Sequence, residues 1–322
     1  MKDAILFGDC RQSLKQLHDE NVKVQMCVTS PPYYGLRNYG DEEYQIGHEH
    51  SPEEYIEQLV NVFEDVKNIL ADDGVMFIVM GDSYYNYRPG KGQGLVKQSV
   101  SNSKQDLPTK CNRRANKLKG YKEKDLIGIP WMLAFALRSK GWYLRQDIIW
   151  HKPNPMPESV KDRCTKSHEY LFLLTKNKRY YFDNESIKEP AKDCGTRNRT
   201  NGKYHNKGTG LSPHSGLTKS YPTKNKRSVW SITNKPYKGS HFATFPPDLV
   251  EPCILSGSRV SDTILDPFMG SGTSAMVAKS LGRHYIGCEL HQHYDKLIWK
   301  RLSSVTVKEP AQAKPNPLEL LL

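Results

Sequence analysis

Residues 263–290 read TILDPFMGSGTSAMVAKSLGRHYIGCEL, and few architectures accept that order of parts. An apolar run ends at Asp266, Gly270, Gly272 and Thr273 turn the chain into a helix, and a second apolar run ends at Glu289. In an open sheet, ligands bind beyond the carboxyl ends of the strands, where such a helix also points its N-terminus. An acidic residue closing a strand about 20 residues after the turn suits two ribose hydroxyls. The turn is not GxGxxG, which speaks against a dinucleotide. It lacks Gly-Lys-Ser/Thr, which excludes a P-loop.

The rest of the chain repeats the alternation. AILFGD and VQMCVTS read as buried strands around a short helix, CRQSLKQLHDE. Ser51, Pro52 and Glu54 form a capping box, and Ile56, Leu59, Val60, Phe63, Val66 and Leu70 recur at helical spacing behind it. VMFIVMGD is a strand and IPWMLAFALRSKG a helix ended by Gly141. WYLRQDIIW and YLFLLTK read as adjacent antiparallel strands. HFATFPPDLVEPCIL is a helix, and a last helix follows Glu289. Strands alternating with helices imply an α/β sheet covered on both faces.

One stretch resists this scheme. TSPPYY follows VQMCV directly, and two prolines there stop both strand and helix. The chain therefore carries a rigid aromatic elbow at a strand end.

Composition narrows the function. No apolar run approaches the length of a membrane span, and MKDAILFGDC lacks a signal peptide's apolar core, so a cytoplasmic protein is expected. The 7 cysteines are scattered and never form a CxxC pair, which argues against disulfides and zinc. The pairs His48/His50 and His291/His293 have no cysteine or carboxylate cluster beside them, so no metal is expected. The net charge of +12 is local: residues 84–124 hold 11 Lys/Arg against 2 Asp/Glu, and residues 183–240 hold 12 against 4. Two long basic segments on a net acidic body point to a polyanion partner.

DPFMGSGTS and TSPPYY together resemble the cofactor and catalytic motifs of DNA amino-methyltransferases, which methylate the exocyclic amine of cytosine (N4) or adenine (N6). The catalytic half precedes the cofactor half, as in the permuted β group. GDC, VMFIVMGD, WHKPNPMP, HEYLFLLTK and HFATFPPDLVEPCI are further matches, so the resemblance spans most of the chain outside the basic segments. It implies a Rossmann-like fold with a mostly parallel seven-stranded sheet, and S-adenosylmethionine as cofactor. Residues 1–83 and 125–182 would form the catalytic half and 241–306 the cofactor half. Residues 84–124 would be a basic insert, 183–240 the target-recognition region and 307–322 a flexible tail.

The resemblance also assigns roles. A flipped-out base would stack on Tyr33, while the Ser30 hydroxyl and the Pro31 carbonyl, held rigid by Pro32, would accept from its amine and localise the nitrogen lone pair. No metal and no covalent intermediate is required. Asp266, Phe268, Gly270, Gly272 and Thr273 would hold the methionine moiety, with Thr29 beside them, and Glu289 the ribose. Asp9 would lie near the adenine, and His241, Phe242 and Ala243 would help close the pocket.

Arg113, Arg114, Lys117 and Lys119 in the first basic segment are candidates for duplex DNA contacts. Arg197, Arg199, Lys203, Lys224, Lys226 and Arg227 are candidates in the second. Ser at the first motif position resembles the N4-cytosine enzymes, with N6-adenine the alternative. An RNA or protein-amide methyltransferase and a non-catalytic DNA-binding module are the remaining readings. The expected enzyme is a monomer or weak dimer, acting alone or beside a restriction endonuclease. The Pro-Cys pair at Cys253 matches a cytosine-C5 nucleophile in composition only, and a core thiol is expected there.

Overall fold

Val75–Met80 reads as an unbroken apolar run because both faces of its strand are covered: Met76, Ile78 and Met80 join one apolar layer, Val75, Phe77 and Val79 the other. The structure, a computed structural model, describes residues 1–35, 45–85, 118–191, 222–234 and 245–307. The elements in chain order are β1 (Ala4–Phe7), α1 (Cys10–Asp19), β2 (Val24–Thr29), α2 (Pro52–Ile69) and β3 (Leu70–Met80). Then come α3 (Ile129–Ser139), β4 (Tyr143–His151), β5 (His168–Thr175), β6 (Glu189–Pro190), β7 (Thr223–Lys224) and β8 (Val229–Ser231). The chain closes with α4 (Pro247–Gly257), β9 (Thr263–Asp266), α5 (Thr273–Ser280), β10 (His284–Glu289) and α6 (Asp295–Ser303).

The main sheet runs β1-β10-β9-β2-β3-β5-β4-β8. Every neighbouring pair is parallel except the two made by β5, which is antiparallel to β3 and β4. Helices α1, α2 and α3 pack on one face, and α4, α5 and α6 on the other. The fold is the expected α/β sheet, with eight strands rather than seven. The additional strand, β8, lies inside the second basic segment and pairs Ile149, Trp150 and His151 with Val229, Trp230 and Ser231. Three residues carry too little periodicity to announce a strand. The buried Trp230 anchors it.

The capping of α2 differs in one detail from the expected box. Ser51 Oγ accepts from the Glu54 N–H at 3.1 Å, but Glu54 reaches back to the N–H of His50 at 3.0 Å, not to that of Ser51. The helix then ends at Ile69, and Leu70 opens β3.

Between β9 and β2 the chain changes the face on which its crossover helices run. Helix α5 packs in the layer with α4 and α6, and α2 in the layer with α1 and α3. Register Met26↔Ile264 and Cys27↔Leu265 joins strands from opposite ends of the sequence. This is the switch point of a doubly wound sheet, where its carboxyl edge opens into a crevice.

Helix α4 crosses β2 and β3 closely. A Cβ on Gly257 would stand 2.8 Å from Val75 Cγ2 and 3.1 Å from Met26 Sδ. Gly257→Ala is therefore expected to cost about 1–3 kcal/mol of stability, read as a lower urea midpoint at unchanged slope.

Candidate active site

Parallel strands end together, so their last residues share one edge: Gly8 and Asp9 after β1, Ser30 after β2, Gly81 and Asp82 after β3, Asp266 in β9 and Glu289 in β10. Ser30, Pro31, Pro32 and Tyr33 form the elbow there. Tyr55 of α2, fully buried, donates its hydroxyl to the Pro32 carbonyl at 2.7 Å and stands 5.5 Å from the Tyr34 ring. Among the described residues none donates to the Pro31 carbonyl, which is left as an acceptor at the edge.

A buried clasp joins the elbow to the glycine turn. Thr29 Oγ1 donates to Asp266 Oδ1 at 2.6 Å, the Phe268 N–H reaches the same oxygen at 3.0 Å, and Ser274 donates to Oδ2. Both Asp266 oxygens are thus engaged by the chain, and only 1% of the residue is exposed. Burial pushes its carboxyl up to about 6, against the opposing pull of Ser274, Thr29 and the Phe268 N–H. The geometry gives Asp266 and Thr29 a positioning role between strands.

Gly270 and Gly272 take positive φ, 54° and 79°, which lets the chain turn into α5. A Cβ on Gly272 would sit 3.0 Å from Ile298 Cγ2, and Thr273, the first residue of α5, is buried. Phe268 is half-buried, edge-on to Phe63 at 6.4 Å. Glu289 accepts from the His291 N–H at 3.0 Å, and burial raises its carboxyl to about 7, against the His291 and Gly270 N–H groups. Among the described residues no cation pairs with it. Asp9 caps α1 through the Arg11 N–H at 2.9 Å and pairs with the Arg11 guanidinium at 2.6 Å.

Several residues at this edge had no role in the sequence. Glu169, at the start of antiparallel β5, accepts from Tyr33 Oη at 2.7 Å and pairs with Lys152. Asp82 accepts from the N–H groups of Gly128 and Ile129 and so caps α3 from a distant strand end. A small cleft beside the elbow is lined by Tyr33, Tyr34, Gly81, Asp82, Ser83 and Ile129. The signal for two of these was the matched HEYLFLLTK and WHKPNPMP segments, which name Glu169 and Lys152 without saying what they face.

His241, Phe242, Ala243, Arg113, Arg114, Lys117, Arg197, Arg199 and Lys203 lie outside the described residues. Lys119 is exposed. Lys224, Lys226 and Arg227 converge on Glu189 at 4.0, 3.6 and 3.5 Å, an arrangement that ties β7 to β6. Cys253 is a core thiol that donates to the Leu249 carbonyl at 3.2 Å, and burial raises its pKa. Among the described residues no group of three or more His, Cys, Asp or Glu is placed to hold a metal ion, and no helix is long and apolar enough to cross a membrane.

At its carboxyl edge the doubly wound sheet thus carries a proline-tyrosine elbow beside a glycine turn. A family model for N6 and N4 methyltransferases, described as DNA methylase, matches residues 24–300, and the chain belongs to that family. It is similar to the type II methyltransferase M.SmaI of Serratia marcescens, 43% identical over 303 residues, 92% of this chain and 90% of the relative. M.Cfr9I of Citrobacter freundii is 42% identical over 308 residues, 94% and 88% of the two chains. Among solved structures, the cytosine-N4-specific PvuII DNA methyltransferase superposes with a TM-score of 0.60 at 16% identity, covering 96% of this chain and 89% of that one. The M1.HpyAVI–SAM complex gives 0.53 at 19% identity over 92% and 98%.

Both buried carboxyls carry a pH signature. Their folded values lie above the ordinary 3.8 and 4.5, so the stability they contribute is complete below about pH 4. It is lost as pH rises through about 6 for Asp266 and about 7 for Glu289. Glu289→Gln keeps the acceptor without the charge. Between about pH 4.5 and 8, wild type is expected to lose up to about 3 kcal/mol relative to Glu289→Gln in urea unfolding of the ligand-free chain.

Proposed function

We propose that this DNA methyltransferase is sequence-specific and transfers a methyl group from S-adenosylmethionine to N4 of a flipped-out cytosine. The observation that carries the reading is the elbow itself: among the described residues none donates to the Pro31 carbonyl, Ser30 adjoins it, and a buried clasp at the neighbouring Thr29 joins the elbow to the glycine turn. An exocyclic amine delocalises its lone pair into the ring. Acceptors aimed at both N–H bonds restore nucleophilicity, and rigidity keeps them aimed. Tyr33 supplies the flat face on which an extruded base stacks.

The cofactor fits the residues present. Among the described residues no cation pairs with the buried Glu289 carboxyl, which suits the two hydroxyls of a ribose. Gly270, Gly272 and Thr273 would line the methionine end, Phe268 would pack beside it, and Asp266 would hold the turn. Bound there, S-adenosylmethionine supplies an electrophilic methyl group. The chain's own work is to bind, orient and exclude water.

The two basic segments are proposed to grip duplex DNA, with target recognition in residues 183–240. The enzyme would act as a monomer, modifying each strand of a palindromic site in turn, alone or beside a restriction endonuclease.

Purified protein incubated with unmethylated genomic DNA and S-adenosylmethionine, then digested to nucleosides for mass spectrometry, is expected to yield N4-methylcytosine. N6-methyladenine would overturn the choice of base while keeping the mechanism, and neither product would overturn the reading. Ser30→Ala is expected to lower kcat about 100-fold. If six or more phosphates are contacted, DNA affinity falls about 1,000-fold between about 50 and 200 mM salt.

A further inference from the structure

The glycine turn takes its shape in part from helix α6. Gly270 and Gly272, at φ 54° and 79°, flank the buried Ser271, so the freest backbone in the turn lies on both sides of one residue. A single side chain takes hold of that residue. Arg301 Nη1, in the last turn of α6, donates to the Ser271 carbonyl at 2.8 Å and to the Ser271 hydroxyl oxygen. Its other arm, Nη2, reaches Met276 Sδ in the first turn of α5 at 3.8 Å. The peptide from Ser271 to Gly272 is fixed at both ends, because the Gly272 N–H donates to the Met269 carbonyl at 3.0 Å. Ile298, one turn earlier on α6 and fully buried, leaves no room for a side chain at Gly272. At the far end of α5, Lys279 Nζ donates to the Leu302 carbonyl at 2.9 Å. Both ends of α5 are thus tied to α6.

We propose that Arg301 is a positioning residue for S-adenosylmethionine, one that fixes the glycine turn in its binding shape before the cofactor arrives. The inference rests on the cofactor reading above and adds the residue that prepares the site. A backbone between two glycines can rotate its peptide planes at little steric cost. Turning over the Ser271–Gly272 plane would exchange the directions of a carbonyl and an N–H at the start of α5. It would also take the carbonyl from Arg301 and the N–H from Met269, so both hydrogen bonds oppose it. A ligand that meets a fixed turn binds without first ordering it, whereas a mobile turn subtracts its ordering entropy from the affinity. A guanidinium suits this task, since its planar fork presents several donors in one rigid geometry and so spans a carbonyl, a hydroxyl and a thioether. Because Arg301 acts through the backbone of the turn, its effect falls on cofactor affinity and not on the methyl-transfer step.

The test compares Arg301→Met, Arg301→Lys and Ser271→Ala with the wild type, first by titrating S-adenosylmethionine into the DNA-free chain in a calorimeter. Arg301→Met keeps an apolar stem and loses every donor. It is expected to weaken cofactor binding about tenfold, to raise the KM for S-adenosylmethionine by a similar factor, and to leave kcat at saturating cofactor and DNA within about twofold. Arg301→Lys keeps one ammonium for the Ser271 carbonyl and should recover part of the affinity. Ser271→Ala leaves α6 whole and removes one of the two acceptors, so it keeps the test open should Arg301→Met fail to fold. It is expected to weaken binding about threefold, with little further loss when combined with Arg301→Met. Cofactor affinity within twofold of wild type in Arg301→Met, a lowered urea midpoint with affinity unchanged, or a loss confined to kcat each overturns the positioning role alone. A wild type that binds no S-adenosylmethionine overturns both this inference and the reading beneath it.

Discussion

Everything at the carboxyl edge depends on one buried carboxyl. Asp266 has both oxygens occupied, by Thr29, Ser274 and the Phe268 N–H, in a place where an unpaired acid would be costly. Through it the last residue of β2 and the first turn of α5 have one relative position. The elbow and the glycine turn are 237 residues apart in sequence and one hydrogen bond apart in space. Two loops meeting at a strand edge would otherwise be free to drift. A methyl group cannot be delivered to an amine across a gap that varies by an ångström.

The sheet supplies the second constraint. Seven strands run one way and place their carboxyl ends together, while β5 runs against them and so brings its first residues, His168 and Glu169, to the same edge. One reversed strand thus adds a carboxylate behind Tyr33 without a further loop. Gly81, at the end of β3, leaves the space through which the tyrosine and the glutamate meet. Residues that follow β2, β3 and β4, together with one on β5, make one network, though none of their sequence neighbourhoods mentions the others.

Much of the architecture was legible in advance because periodicity is local. The α2 stripe, the run now seen as β3, the apolar runs that become β4 and β5 and the strand-turn-helix from Thr263 to Ser280 follow from residue spacing. Strand β8 was not legible, since three residues have no period and are held by Trp230 and by the edge of β4. The role of Asp266 was not legible either. Its place at a strand end suggests a ligand contact, and only packing reveals that the chain uses both oxygens.

By itself, then, the order of residues determined the alternation of strands and helices, the rigid elbow at Ser30–Tyr33 and the acidic strand ends. Each of these depends on what a few neighbouring residues can do with their own backbone. Tertiary structure alone decided which strand ends meet, that Thr29 would close on Asp266, and that Glu169 would stand behind Tyr33. Those contacts cross 237 and 136 positions of chain, and no local preference can encode the partner of a hydrogen bond formed across a sheet.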